Sequence, residues 1–392
     1  MRIPKLLSSF FASEQAAGIV LIFCTLVSLI ITNISWGLTY LHFWELNIAQ
    51  HSLVHWINDA LMTLFFLLMG LELKREMYLG ELANIKSALS PLVAALGGML
   101  VPACVYFLCN RNTVTVRGAG IPMATDIAFA LGVLSLLGKR VPVALKVFLT
   151  ALAVIDDLGA ILVIAIFYTA SINWHMLLFS LSIFGLLLLL RRWGVHHLLF
   201  YLLGGILMWY CMDHSGVHAT ISGVLLAFAL PFGKGKHEAA SYKVQQYLHW
   251  PVAYFILPLF ALANTAIVIP ADWQQGLLHH QSSLGIALGL LVGKPLGIVC
   301  CTGLAVRMGY CQLPKGLTWS HLWGLGLLAG IGFTMSIFIS LLAFDQVSDI
   351  ITAKIAILCS STIAAIIGLL FLWRLSTRFE KCNYLSNAFL MD

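Results

Sequence analysis

Charge is what this 392-residue chain has least of. Lys, Arg, Asp and Glu together make up 10% of it, against about 25% in an ordinary soluble domain. With 60% hydrophobic residues and a mean hydropathy of +0.95, a soluble globular fold is excluded. Ten-residue alternating segments are missing too, which excludes a transmembrane barrel. Apolar runs of roughly 20 residues select helices, the other structure that satisfies its own backbone in lipid. The nine cysteines form no CxxC pair. Cys24, Cys104, Cys300, Cys301 and Cys359 lie inside apolar segments, where a thiol acts as a small hydrophobe, so neither disulfides nor zinc are indicated. The net charge of +6 reflects basic loops on one membrane face and not nucleic-acid binding.

What is present is a series of apolar spans. Twelve can be drawn: 16–34, 59–79, 88–109, 119–137, 145–169, 175–190, 197–212, 216–231, 251–269, 284–306, 320–343 and 353–373. This topology sorts the basic residues. Of the 22 Lys and Arg, Arg111, Arg117 and Lys354 fall on one side, Lys294 falls inside a span, and all the rest fall on the other side. The positive-inside rule then puts both termini in the cytoplasm. Arg2 and Lys5 before an apolar run resemble a signal peptide, but Glu14 interrupts the approach, and Ala16–Thr32 reads as an uncleaved first helix. The chain reads as one domain over 1–392, an all-α polytopic membrane protein. The loop Ser35–Asn58 has no Lys or Arg. Its HFWELNIAQHSLVHW admits two readings: a short hairpin that pairs protomers into a homodimer, or an irregular interfacial loop. The most polar stretch is the inner segment Phe232–Trp250, with Lys234, Lys236, His237, Glu238 and Lys243.

Charges inside the spans are few: Asp126, Asp156, Asp157 and Lys294, with Asp59 near an outer end. Asp156 and Asp157 are adjacent in VFLTALAVIDDLGAILVIAIFYTA. Each carboxylate at a bilayer centre costs roughly 2.5–3.5 kcal/mol on insertion scales, and such residues mark ion or proton pathways. Lys294 lies about eleven residues from either end of its span, roughly 16 Å at helical rise. Its side chain cannot snorkel that far, so it needs an internal partner, Asp156 or Asp157. The other carboxylate then faces elsewhere, because successive helix residues point about 100° apart. One carboxylate held by lysine and one open to water makes a cation-exchange site.

Two spans carry helix-weakening residues before a polar pair. In GAGIPMATDIAFALG, Gly118, Gly120 and Pro122 precede Thr125 and Asp126. In LWGLGLLAGIGFTMSIFIS, Gly324, Gly326, Gly330 and Gly332 precede Thr334 and Ser336. Interrupted helices in matching positions of two halves suggest inverted-topology repeats with two discontinuous helices. Asp126 would then compensate the positive half-helix ends and Lys294 the negative ones. Close packing by small residues accounts for the same glycines. His218 in SGVHATISG reads as a packing residue or a titrating one. His51, His55, His279 and His280 read as interface residues. Glu72 and Glu76, in GLELKRE, flank Lys74 and Arg75 at an inner helix end, as solvated pairs or as a charged funnel mouth.

The segments NDALMTLFFLLMGLELKRE, PMATDIAFALGVL, LTALAVIDDLGAI, SGVHAT, GKPLGI and GIGFTMSIF resemble the NhaA-type sodium/proton antiporters over nearly the whole chain. The resemblance implies twelve helices with two crossed broken ones in a bacterial inner membrane. It also implies exchange of cytoplasmic sodium or lithium for external protons, more than one per cation, with pH control and a role in sodium and pH homeostasis. It carries the ion-binding pair to Asp156 and Asp157, which would ligate the transported Na+. The broken-helix pair falls on Thr125 and Asp126, the bridging lysine on Lys294, and the pH-response residues on His218, Glu72 and Glu76. No cofactor is implied beyond the transported ions. One departure is Gln245 in KVQQYLHW, where the family pattern has a glutamate, which bears on the pH profile. Two other classes fit less well. An intramembrane aspartyl protease needs aspartates converging from different helices, usually with GxGD; here the strongest pair is on one helix and no GxGD exists. A passive cation channel would be opposed by Lys294 beside the pathway.

Overall fold

The computed structural model describes residues 5–49, 51–169, 172–195, 197–233, 240–270, 280–314 and 316–389. The readings of Arg2, of Lys234, Lys236, His237 and Glu238, and of His279 fall outside these residues. The chain is an all-α multi-pass membrane protein. Its first helices are α1 (Lys5–Thr32), α2 (Gly37–Trp44), α3 (Leu53–Leu79) and α4 (Ile85–Asn110). A broken span follows as α5 (Val114–Met123), wound as a 3-10 helix, and α6 (Ile127–Ser135). Then come α7 (Val143–Phe167), α8 (Trp174–Arg192), α9 (Leu198–Asp213) and α10 (Ile221–Ala229). The last third holds α11 (Ala240–Pro251), α12 (Leu257–Asn264) and α13 (Gln281–Arg307). A second broken span, α14 (Trp319–Ala329) and α15 (Phe333–Ala343), precedes the terminal helix α16 (Val347–Phe389).

Among the described residues six straight helices are long and apolar enough to cross a membrane, and nine spans result if each bent pair is one. The bent pairs are α5 with α6 at 43°, α14 with α15 at 49°, and α1 with α2 at 119°. The first two fall where glycine, proline and a following polar pair weaken the sequence. The third does not: α2 occupies part of what the sequence offers as a plain loop. Beyond α2, β1 (Asn47–Ile48) and β2 (His51–Ser52) pair antiparallel, so that loop does hold a short hairpin. Shorter helices stand where 197–212 and 216–231 read as spans, namely α9 and α10, whereas α11 runs through a π-helical turn (Val252–Ile256) into α12, so that most of 251–269 belongs to one continuous helical stretch.

Large apolar side chains such as Phe23, Phe107, Leu108, Ile166 and Phe179 are exposed, as lipid-facing residues should be. Helix contacts rely on small residues, because in lipid close packing replaces the hydrophobic drive. Gly70 of α3 lies where a Cβ would meet Ala227 Cβ of α10 at 2.7 Å. Gly97 of α4 and Gly297 of α13 face each other so closely that a Cβ on either would run into the other's carbonyl oxygen. Lys294 sits one turn before Gly297, so this crossing also sets its depth.

Lys74 corrects one sequence expectation. It lies in the last two turns of α3, yet is 1% exposed rather than solvated. Its ammonium donates to the carbonyls of Ala227, Phe228 and Leu230 at 3.1, 3.0 and 2.6 Å. These are terminal carbonyls of α10, which lack partners within their own helix and carry partial negative charge. Arg191 reaches the Phe228 carbonyl at 3.1 Å as well.

Gly297→Ala should force α4 and α13 apart, since the obstacle is backbone and cannot rotate away. Overpacking of this kind costs about 1–3 kcal/mol, so the melting temperature in detergent should fall by several degrees. Gly303→Ala, on the same helix with no heavy atom closer than 3.9 Å to the added carbon, should leave it unchanged. Equal melting of the two variants would contradict the close crossing.

Candidate functional site

Two helix breaks meet at the centre of the molecule. The Asp126 N–H donates to the Ile331 carbonyl at 2.7 Å, joining the linker of one broken span to that of the other. Breaking a helix away from water frees N–H groups on one half and carbonyls on the other, and each must find a partner. Asp126 answers for both exposed N-terminal ends, those of α6 and α15. Its Oδ1 accepts from Phe129 N of α6 at 2.9 Å, as an N-cap. Its Oδ2 accepts from Thr334 N and Oγ1 of α15 at 3.1 and 2.5 Å. One carboxylate thus terminates two half-helices.

The C-terminal ends of α5 and α14 are handled from the other side. The Lys294 ammonium donates to the Met123 carbonyl at the end of α5. The Thr125 hydroxyl sits 3.1 Å from the Ala329 carbonyl at the end of α14 and 2.8 Å from Asp156 Oδ2, with one proton to share between them. Lys294 Nζ lies 3.2 Å from the same Asp156 oxygen, and both side chains are fully buried. The lysine's partner, which the sequence leaves as either aspartate, is Asp156.

Asp157 is placed differently. It is 2% exposed, and neither of its oxygens accepts a hydrogen bond; Asp156 Oδ1 is without a donor as well. Buried polar atoms are normally paired. Three unpaired carboxylate oxygens on consecutive residues form a donor set suited to a hard cation or to protons. A cavity of about 70 Å3 reaches Asp157 and Asp126, and it is lined also by Glu72, His249 and Thr334. That is room for a few water-sized particles. A larger cavity of about 400 Å3, between α1, α6, α15 and α16, is lined by Ile22, Leu26, Phe129, Phe333 and Leu358 among others. Its apolar walls offer an ion little. Among the described residues no group of three His, Cys, Asp or Glu has metal-holding geometry.

The remaining sequence candidates divide. Glu72 lines the small cavity, whereas Glu76 does not and lies 3.7 Å from Arg75. His218 is not among the residues that line this cavity. Its Nδ1 stands 3.8 Å from Asp59 Oδ1, while His55 Nδ1 stands 3.0 Å from Asp59 Oδ2 and its ring stacks on His51 at 4.2 Å. Gln245 is buried in α11, one turn before His249. His249 was missed from sequence; its i, i+4 relation to Gln245 on an amphipathic stretch was the available signal. Burial, aided by the positive Arg75 nearby, holds its imidazole below the ordinary histidine range.

A family model described as Na+/H+ antiporter 1 matches residues 8–372. A Flavobacterium psychrophilum protein named Na(+)/H(+) antiporter NhaA is 58% identical over 368 residues, which is 94% of this chain and 96% of that protein. One from Flavobacterium johnsoniae, named Na(+)/H(+) antiporter NhaA 1, is 56% identical over 372 residues, covering 95% and 97%. A Dechloromonas aromatica protein with the name Na(+)/H(+) antiporter NhaA is 56% identical over 376 residues, covering 95% and 96%.

Lys294→Ala should destabilise the protein strongly, because it leaves Asp156 without its counter-ion and the Met123 carbonyl without its donor. Breaking a buried pair in this way costs about 3–5 kcal/mol. Adding Asp156→Asn to Lys294→Ala removes the stranded charge and should recover part of the loss in a detergent melting assay. A double variant no more stable than Lys294→Ala alone would mean that the two groups are not coupled.

Proposed function

The chain belongs to the Na+/H+ antiporter 1 family, and on that premise we propose how its central site exchanges the two ions. It is a Na+/H+ antiporter, a transporter of the kind named in its relatives. The observation that carries the site assignment is the set of unpaired buried oxygens on Asp156 and Asp157 beside Lys294. Sodium or lithium binds between those oxygens. Asp157 is the first ligand, since nothing else engages it. Asp156 becomes available when Lys294 turns towards the Met123 carbonyl. Protons compete for the same carboxylates, and that competition is the coupling. No cofactor takes part, and the ion is cargo.

The cavity past Glu72 and His249 is the cytoplasmic approach. This orientation agrees with the basic residues at that end and puts both termini inside, in a bacterial inner membrane surrounded by lipid. Twelve spans follow if α9, α10 and α12 each complete a crossing. The broken pairs α5–α6 and α14–α15 then cross as inverted repeats around the joined linkers. Rocking about that crossing exposes the site to either side. The hairpin β1–β2, exposed at Asn47, Ile48 and His51, is the contact for a homodimer. Regulation by pH involves Glu72 and Glu76 at the approach and His218 at the far end. With Gln245 in place of a glutamate, the approach has one carboxylate fewer to titrate.

Two carboxylates take up two protons, while with Lys294 they balance one sodium, so exchange is electrogenic. In proteoliposomes clamped with potassium and valinomycin, an inside-positive potential should oppose proton entry and reduce sodium export. The penalty is about 2.3 kcal/mol per net charge per 100 mV. An exchange equilibrium insensitive to potential would mean one-for-one exchange.

Asp157→Asn keeps the shape of the side chain but removes its anionic form. It should abolish sodium-driven proton movement while leaving insertion and melting temperature intact. Normal exchange by this variant would remove Asp157 from the site.

A further inference from the structure

The outer half of the first broken span has an unusual winding. Val114–Met123 is a 3-10 helix of ten residues, where three or four is the usual limit. Its far end is the Met123 carbonyl, the acceptor of Lys294. In a 3-10 helix the N–H of residue 120 pairs with the carbonyl of residue 117. A phenol is lodged in that rung. Tyr168 donates its hydroxyl to the Arg117 carbonyl at 2.7 Å and accepts from Gly120 N at 3.2 Å. Gly120 is the notch that admits it: a Cβ there would stand 2.7 Å from the hydroxyl oxygen.

Tyr168 directly follows α7, the helix that carries Asp156 and Asp157. Twelve residues separate Asp156 from Tyr168, about 18 Å at helical rise. Helix α7 is therefore tied to the first broken span twice. Thr125 reaches Asp156 at the centre, and Tyr168 grips the middle of α5. Two more hydroxyls hold α5 in the same register: Tyr106 donates to the Thr115 carbonyl at 2.8 Å and Ser336 to that of Ile121 at 2.7 Å.

We propose that Tyr168 is a positioning residue that sets sodium affinity by keeping α5 extended, so that the Met123 carbonyl competes with Asp156 for Lys294. Without the hydroxyl, the Gly120 N–H is free to reach the Val116 carbonyl, its partner in an α-helix. Ten residues rise about 20 Å in a 3-10 helix and about 15 Å in an α-helix, so rewinding withdraws Met123 by up to about 5 Å. Lys294 is then left to Asp156 alone, and sodium must displace a tighter pair. The inference rests on the reading of Asp156, Asp157 and Lys294 as the sodium site.

The test is sodium-dependent thermal stabilisation of the purified antiporter in detergent, alongside KM and maximal rate for sodium in proteoliposomes. Tyr168→Phe keeps the ring and removes the hydroxyl. The sodium midpoint and KM should both rise about fivefold, the equivalent of roughly one hydrogen bond, with the maximal rate within about twofold. Gly120→Ala, which displaces the hydroxyl without removing it, should give the same shift. The double variant should add nothing further, because both changes break one contact. An unchanged sodium midpoint in either single variant, or additive shifts in the double, would overturn the proposal. Asp157→Asn distinguishes the two levels: sodium stabilisation retained there refutes the site itself. Lost there but unaltered by the Tyr168 and Gly120 variants, it refutes only the role of Tyr168.

Discussion

Everything at the centre of this protein follows from two helices broken where water is absent. A continuous helix satisfies its own backbone; a broken one leaves N–H groups and carbonyls at the cut, and in lipid these cannot be left alone. Asp126 closes two amino ends, and Lys294 and Thr125 attend to the carboxyl ends. The polar residues that look like an expensive intrusion into an apolar chain are thus largely occupied with the backbone. The linkers then bond directly through Asp126 N and Ile331 O, which makes the two breaks a single junction.

That division of labour decides which group is left for an ion. Both oxygens of Asp126 accept hydrogen bonds, and Asp156 shares one oxygen with Thr125 and Lys294. Asp157, next in sequence and turned about 100° away, has neither a donor nor a counter-ion in contact. A charge in that position has a high free energy until a cation or proton reaches it. It therefore exchanges one for the other readily. Lys294 provides the second state, because its ammonium lies between an anionic acceptor and a neutral one, and shifting between them changes how much of Asp156 is available.

The positions of the breaks were legible in the sequence because glycine and proline weaken a helix in a way that does not depend on its neighbours. So were the buried charges, since nothing but function or pairing retains them in an apolar span. Contacts between distant segments were less legible. Asp156 and Asp157 are equivalent partners for Lys294 until packing orients α7. Lys74 sits between Glu72 and Arg75, as a solvated lysine would, and only the neighbouring end of α10 draws it inside. Tyr168 is one more aromatic residue at a helix end until α5 is laid against it. The turn between α1 and α2 carries no proline, and its 119° bend depends on the close approach of Gly37 to the Thr32 backbone.

Lys74 and Lys294 obey one rule at two different places in the protein. Each is a fully buried ammonium placed on the carboxyl end of a short helix, with α10 beneath one and α5 beneath the other. A helix end holds only a fraction of a charge, about half of one, but it is fixed and already dehydrated, so using it requires no further desolvation of an acid. Lys74 has three such carbonyls, and its acceptors are complete. Lys294 has one, and Asp156 supplies the remainder. The difference in acceptor number separates a lysine that fastens two helices from one that can be drawn off its partner. It also explains why, among the described residues, Lys294–Asp156 is the ion pair found with both side chains wholly buried. Asp126 and Lys74 are likewise satisfied by helix ends without help from an opposite charged side chain, whereas no helix end reaches Asp157.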